Sequence, residues 1–160
     1  MRICLLWSSD KCSFRVKVFR VSKKVLFGMD SFQEVRKTTL NILLAEDDRN
    51  LGIVMKSELE EEKYIVDLVN DGVEAVLSFI DKSHNFVFLD IKMPKLDGIN
   101  ALRIIKKINP NVPVITFSGN AGSSEMAESV KAGALKCFTK PFEIAELRDC
   151  IKSHFGDLRT

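Results

Sequence analysis

Acidic groups, a hydroxyl and a lysine stand immediately after apolar runs of this 160-residue sequence. In the stretch FVFLDIKMPKLDG, four apolar residues lead directly to Asp90, and a proline soon interrupts the chain. Such a run is typical of a buried strand, so the carboxylate of Asp90 should lie at the carboxyl end of that strand. The other polar groups that end predicted strands are Glu46, Asp47, Ser118 and Lys140.

These groups are expected to meet at one edge of a sheet, because open parallel sheets bind ligands outside the carboxyl ends of their strands. Clustered carboxylates repel one another by about 4 kcal/mol per pair at about 4 Å and an effective dielectric near 20. Lys140 offers one compensating charge, and Mg²⁺, which prefers carboxylates, waters and phosphate oxygens, would offer two more. The pattern favours phosphoryl chemistry over the plain alternative, a set of solvated and inactive loop-end acids.

Five apolar runs supply the strands that would position these groups. They begin near Asn41, Tyr64, Phe86, Val112 and Leu135, at separations of 22 to 26 residues, which is the length of a strand plus a crossover helix. Nearly continuous apolar strands that alternate with helices indicate a parallel sheet covered on both faces. We therefore predict an α/β fold with a doubly wound, five-stranded parallel sheet in the order 2-1-3-4-5.

Apolar stripes at helical spacing predict which face of each connecting helix is buried. The second helix is expected to bury Val73, Val76, Leu77 and Ile80. The fourth, over residues 121–132, has the fewest apolar residues and should be the most mobile. The other predicted stripes are Leu51, Val54, Met55 and Leu59; Ile99, Leu102 and Ile105; and Ile144, Leu147 and Ile151. Helix starts are predicted at Asp71-Gly72 and Asp97-Gly98, and a helix end at Gly133.

Composition predicts a globular domain without a membrane-spanning segment, since no apolar run reaches about 18 residues. The four cysteines form no CxxC pair. This pattern argues against a zinc site or a disulfide framework and favours a cytoplasmic setting. The two histidines, His84 and His154, are expected at the surface without partners.

Basic charge is concentrated at the amino terminus. Residues 1–37 contain nine of the 24 lysines and arginines but only three of the 22 acidic residues, which leaves the remaining chain mildly acidic. The acidic body argues against direct nucleic-acid binding. Residues 1–37 are expected to be a disordered extension, or not native if translation starts at Met29, and residues 38–160 to form one domain.

Four motifs in this order and at these separations give the chain a family resemblance. They are ILLAEDD, FLDIKMPKLDG, PVITFSG and GALKCFTKPF. From residue 40 to about residue 155, the sequence resembles the receiver domain of two-component response regulators. The resemblance implies a flavodoxin-like receiver fold for that part of the chain.

The resemblance also implies a phosphorylation site with bound Mg²⁺. Asp90 matches the aspartate that accepts a phosphoryl group from a phosphohistidine. Glu46 and Asp47 match the acidic pair that holds Mg²⁺, and the backbone carbonyl of Lys92 would complete the metal site together with Asp90.

Further positions match the groups that respond to phosphorylation. Ser118 matches the hydroxyl that binds the phosphorylated aspartate, and Lys140 the lysine that pairs with the phosphoryl oxygens. The bond before Pro141 is expected to be cis, a minority state for X–Pro bonds. Cys137 stands at a switch position where the family often has an aromatic residue, so that part of the switch departs from the pattern.

The implied function is a stand-alone response regulator in a phosphorelay, expected because the sequence stops soon after the fifth predicted helix. Its expected partners are a histidine kinase or phosphotransfer protein and a downstream protein, with neither nucleic acid nor membrane. The fourth helix, fifth strand and fifth helix would form the signalling surface and a homodimer contact. One alternative is an aspartate-nucleophile phosphohydrolase, although Lys92 stands where such enzymes usually carry a second acid. The other is a receiver that is never phosphorylated.

Overall fold

The computed structural model of the protein describes residues 39–119 and 124–156, and the predicted extension, residues 1–37, lies outside this part. Strands and helices alternate along the described chain. The strands are β1 (Asn41–Ala45), β2 (Ile65–Val69), β3 (Phe86–Asp90), β4 (Val114–Ser118) and β5 (Lys136–Thr139). The helices are α1 (Arg49–Glu61), α2 (Gly72–Asp81), α3 (Gly98–Ile108), α4 (Ser124–Lys131) and α5 (Ile144–Phe155).

The five strands form one parallel sheet in the order β2-β1-β3-β4-β5, which confirms the predicted fold. The register aligns the carboxyl ends of the central strands. Ala45 pairs with Leu89, Asp90 with Phe117, and Ser118 with Thr139. Residues that directly follow β1, β3, β4 and β5 therefore emerge along the same edge.

Alternating residues of each strand enter two separate cores, one on each face of the sheet. Phe86 and Phe88 belong to the core covered by α1 and α5, whereas Val87 and Leu89 belong to the core covered by α2 and α3. Because both faces are covered, β3 is buried along its whole length. No helix in the described part of the chain has the length and apolar character needed to cross a membrane.

Aspartates start the helices that were predicted to begin after them. The Asp71 side chain accepts a hydrogen bond from the backbone N–H of Glu74 at 2.8 Å, and Asp97 accepts one from Asn100 at 2.9 Å. Both are side-chain N-caps, which satisfy amide groups that the first helical turn leaves unpaired. Gly133, with φ of +104°, follows the end of α4, as predicted.

The predicted buried face of α2 is wrong for three of its four residues, whereas Val76 packs against the core as predicted. Val73, Leu77 and Ile80 have 40%, 55% and 59% of their surface exposed, whereas Ala75 and Phe79 are buried. Apolar spacing alone could not separate these two faces, because the helix is apolar over most of its circumference. The side that carries Gly72, Ala75 and Phe79 packs against the sheet, and the aliphatic side chains of the stripe remain outside.

The other helices agree better with their predicted stripes. The three predicted residues of α3 are buried, and the three predicted residues of α5 are either buried or packed against the core. In α1, Met55 and Leu59 are buried, but Val54 is 52% exposed, contrary to the prediction. Of the eight described residues of α4, Ser129 alone is buried, and its hydroxyl lies 2.7 Å from that of Thr116 on β4.

His84 is not the surface residue that was predicted. Its side chain is only 2% exposed, and Nε2 lies 3.5 Å from Oδ2 of Asp67. The imidazole ring also stacks on Phe79, with 6.0 Å between ring centroids. This contact could not be predicted from the sequence, because Asp67 lies 17 positions away on β2 and meets His84 only through the fold.

Candidate functional site

Three carboxylates meet at the carboxyl edge of the sheet. Glu46 and Asp47 follow β1, and Asp90 ends β3, so the paired central strands bring them together. One oxygen from each lies within 4.8 Å of the others. Glu46 and Asp90 are buried, whereas Asp47 is exposed. The acidic cluster predicted from the strand ends is therefore present, with one member open to solvent.

Lys140 joins the two buried members of this cluster. Its Nζ donates hydrogen bonds to Oε1 and Oε2 of Glu46 at 2.7 and 2.8 Å and to Oδ2 of Asp90 at 2.6 Å. Its backbone N–H donates to the carbonyl of Ser118 at 2.8 Å, which ties the end of β5 to the end of β4. One ammonium group thus compensates two carboxylates that lie 94 and 50 positions away in the sequence.

Burial and charge act against each other in this network. Burial raises the pKa of Glu46 to about 7; the hydrogen bonds from Lys140 oppose this rise, and the nearby Asp90 carboxylate adds to it. Burial also lowers the pKa of Lys140, but the hydrogen bonds to Asp90 and Glu46 outweigh it, so its pKa lies above the ordinary value. The ammonium of Lys140 therefore stays charged beside the two buried carboxyl groups.

The loop between β3 and α3 packs very closely against the end of β3. A Cβ atom on Gly98 would lie 1.9 Å from the carbonyl oxygen of Asp90, so only glycine fits at this position. The N–H of Gly98 donates to the carbonyl of Ile91 at 2.9 Å. The N–H of Lys92 donates to Oδ1 of Asp90 at 3.3 Å. The loop therefore holds both the backbone and the side chain of Asp90.

A second ion pair supports this loop from the side. Lys95, which has φ of +63°, donates a hydrogen bond to Oδ2 of Asp71, the N-cap of α2. The Asp71 side chain is 4% exposed, and this pairing lowers its pKa. Sequence reasoning identified Asp71 only as a helix start and missed Lys95, because the contact spans 24 positions between separate loops.

The remaining predicted residues surround the cluster. Ser118 is buried at the end of β4, and the peptide bond between Lys140 and Pro141 is cis. Cys137 on β5 is partly buried, and burial raises the pKa of its thiol. The Lys92 side chain is 59% exposed, with Nζ 3.9 Å from Oε1 of Glu125 on α4, so it points away from the buried carboxylates.

The cluster suits a small, hard divalent cation. Its donors are carboxylate oxygens, which Mg²⁺ prefers over nitrogen or sulfur. The exposed Asp47 leaves one side open for water or a phosphate oxygen. The residues present therefore fit the Mg²⁺ that the sequence resemblance implied.

The parallel sheet with helices on both faces defines an α/β protein of the doubly wound class. The acid cluster and Lys140 lie at the carboxyl edge of this sheet, where the strand order reverses and proteins of this class bind their ligands. The family model of the response regulator receiver domain matches residues 42–152. The chain belongs to the response regulator receiver domain family.

Named relatives agree with this assignment. The chain is 37% identical over 112 residues to a transcriptional regulatory protein of Haemophilus influenzae, the CpxR homologue, covering 70% of this chain and 48% of that protein. It is 32% identical over 113 residues to the sporulation initiation phosphotransferase F of Bacillus subtilis, covering 71% and 91%. The chain spans about half the length of several transcriptional regulators that it matches.

A solved structure shares the fold. The receiver domain of a sensor histidine kinase from Pseudomonas aeruginosa is 32% identical, with a TM-score of 0.67, over 72% of this chain and 96% of that one. That structure has a magnesium ion coordinated in its active-site cleft. Receiver domains in general are phosphorylated on an aspartate by a kinase.

Proposed function

We propose that this protein accepts a phosphoryl group on Asp90 from the phosphohistidine of a histidine kinase or phosphotransfer protein. One observation carries the proposal: the buried Asp90 carboxylate is hydrogen-bonded to Lys140 and lies within the acidic cluster of Glu46 and Asp47. An oxygen of Asp90 attacks phosphorus, the phosphorus–nitrogen bond breaks, and the imidazole leaves as the acyl phosphate forms. No general base is needed, because a carboxylate oxygen attacks without giving up a proton.

Positive charge around Asp90 would support this transfer. Glu46, Asp47, the Asp90 carboxylate and the backbone carbonyl of Lys92 would hold Mg²⁺, which offsets negative charge on the transferring phosphoryl group. Lys140 supplies a fixed charge already within hydrogen-bond distance of Asp90. The chain therefore provides orientation and electrostatic stabilisation, which are the main protein contributions to phosphoryl transfer.

Phosphorylation would then change the surface that the protein presents. Ser118 binds the new phosphoryl oxygens while Lys140 keeps its contact with them, and Cys137 takes the position of the usual aromatic switch residue. The surface formed by α4, β5 and α5 carries the signal to a downstream protein. Support comes from α4, where Ser129 is the one buried residue of those described and Val130 is 56% exposed. A helix held by so little burial can shift at low cost.

The protein acts as a phosphoacceptor switch that assists its own phosphorylation and dephosphorylation, and it does not act on separate substrates. We place it in the cytoplasm, where Cys137 and Cys150, the free thiols of the described chain, would stay reduced. A homodimer through the surface of α4, β5 and α5 is the alternative use of that surface.

The test is phosphorylation by a small-molecule acyl phosphate donor in the presence of Mg²⁺, followed by intact-protein mass spectrometry. The wild-type protein should gain one phosphoryl group that base removes, and Asp90→Asn should gain none. The matched control is Asp97→Asn, since Asp97 is a carboxylate of the same loop that caps α3, and asparagine caps equally well. This control should be labelled like the wild type.

Each alternative predicts a different result. Absence of labelling in the wild type would indicate a receiver that is never phosphorylated. Continuous turnover of an added phosphate ester would indicate a phosphohydrolase. Labelling of Asp90→Asn at the wild-type level would contradict the proposed phosphoacceptor.

A further inference from the structure

Half of the large apolar side chains that the described chain exposes lie on two neighbouring helices, α2 and α3. On α2, Val73, Leu77 and Ile80 are 40%, 55% and 59% exposed. On α3, Ile104 and Ile108 are 37% and 47% exposed. Single exposed aliphatic residues are ordinary, but a group of five on two neighbouring helices is typical of an interaction surface.

The stripe on α2 faces α3. Ser78 lies on the other flank of α2, where its hydroxyl donates a hydrogen bond to Asp67 on the edge strand β2. Successive helical residues are separated by about 100°, so Val73 and Ile80 lie about 140° and about 160° from Ser78, and Leu77 lies about 100° from it. Val73 and Ile80 are therefore directed away from the sheet edge and towards α3, which packs beside α2, and Leu77 is directed outwards next to them.

The two isoleucines on α3 face α2 by the same reasoning. Arg103 is bonded to Glu128 on α4 at 2.6 Å, so the flank of α3 that carries Arg103 faces α4. Ile104 and Ile108, one helical turn apart, lie about 100° and about 140° from Arg103, on the side of α3 that is turned away from α4. The five exposed side chains thus lie on and beside the groove between α2 and α3, and we call this surface the α2–α3 face.

The α2–α3 face has opposite charges on its two outer borders. Asp81 is exposed at the end of α2, and Lys107 is exposed in the last turn of α3. Within the described residues, neither has an ion-pair partner. A two-fold axis along the groove would place α2 of one copy against α3 of the other, so each Asp81 would meet a Lys107. The charge pattern is therefore complementary to itself.

We propose that the α2–α3 face binds a second copy of this chain, forming a symmetric dimer. The five aliphatic side chains of each copy pack against those of the other, and two Asp81–Lys107 pairs flank them. Four helices then pack in the manner of a helical bundle. The surface of α4, β5 and α5 stays free for the downstream protein, so dimerisation and signalling do not compete.

Sedimentation velocity of the full chain over a range of concentrations tests this proposal. The wild type should form dimers. Leu77→Glu should raise the dimer dissociation constant by roughly 100-fold, because the substitution removes one apolar side chain from each of the two copies in the interface. Leu77 is exposed, so the thermal unfolding midpoint of this variant should stay close to that of the wild type. The matched control is Val130→Glu, because Val130 on α4 is as exposed as Leu77. This control variant should still form dimers.

A charge exchange tests whether the occupant is a second copy. Asp81→Lys and Lys107→Asp should each weaken the dimer, and the double variant should restore it, since the acidic and basic borders merely change places. A wild-type chain that stays monomeric at every concentration would overturn the proposal. So would a dimer that tolerates Leu77→Glu but is lost in Val130→Glu. Neither result depends on phosphorylation of Asp90.

Discussion

At the scale of single residues, the site depends on one lysine that compensates two carboxylates. Lys140 contacts Glu46, which is fully buried, and Asp90, which is 7% exposed. Removing one partner of a buried ion pair leaves uncompensated charge, a larger penalty than losing an exposed pair. The same contact that would stabilise a phosphoryl group thus also stabilises the unphosphorylated fold.

The variant Lys140→Met should lose about 3 kcal/mol of unfolding free energy, because two buried carboxylates then face each other. Added Mg²⁺ should stabilise this variant more than the wild type, because the cation supplies the missing charge. Urea unfolding with and without Mg²⁺ measures both effects. The control is Lys92→Met, whose side chain is 59% exposed and should change stability by less than about 1 kcal/mol. Equal effects of the two substitutions would contradict the assigned role of Lys140.

His84 makes stability depend on pH. Burial lowers its pKa below the ordinary value of 6.5, and the nearby Asp67 only partly opposes this. The unfolded chain therefore takes up the proton first. The stability that neutral His84 contributes is present above pH 6.5 and is lost as the pH falls from 6.5 through the lower pKa of the folded state. His84→Phe, which keeps a ring beside Phe79, should show a smaller loss in urea unfolding between neutral and mildly acidic pH. An unchanged pH dependence would assign the effect to other groups.

At the scale of elements, the loop between β3 and α3 is fixed by backbone contacts that no side-chain pattern predicts. The sequence correctly predicts that Asp97 and Gly98 start a helix. It gives no sign that Gly98 lies against the carbonyl of Asp90, because that contact requires the folded path of the loop. The same limit explains α2, where spacing identified an apolar stripe but could not tell which side packs against the sheet.

Gly98→Ala should destabilise the protein by about 2 kcal/mol, since the new Cβ would lie 1.9 Å from the Asp90 carbonyl and the backbone must move. It should also weaken Mg²⁺ binding, because the displaced loop carries Lys92. The matched control is Gly119→Ala, where a Cβ would meet no described atom within 4 Å. Urea unfolding and Mg²⁺ titration check both variants. A Gly98→Ala protein as stable as the control would show that the loop adapts freely.

At the scale of the whole molecule, strand order brings distant residues to one edge. The sheet order and the meeting of Asp90 with Lys140 were both predicted from apolar runs and the polar residues that follow them. That prediction succeeds because parallel strands with crossover helices leave few possible arrangements. Contacts between side chains of separate loops, such as Lys95 with Asp71, depend on exact distances and were not predictable in this way.

The central claim is that this edge of the sheet directs a phosphoryl group to Asp90. Borohydride reduction of the phosphorylated protein converts an aspartyl phosphate to homoserine, and tandem mass spectrometry of the peptide spanning residues 86–98 then locates it. The account predicts homoserine at position 90 alone. Homoserine at Asp97, or reduction confined to another peptide such as the one that contains Asp47, would contradict it.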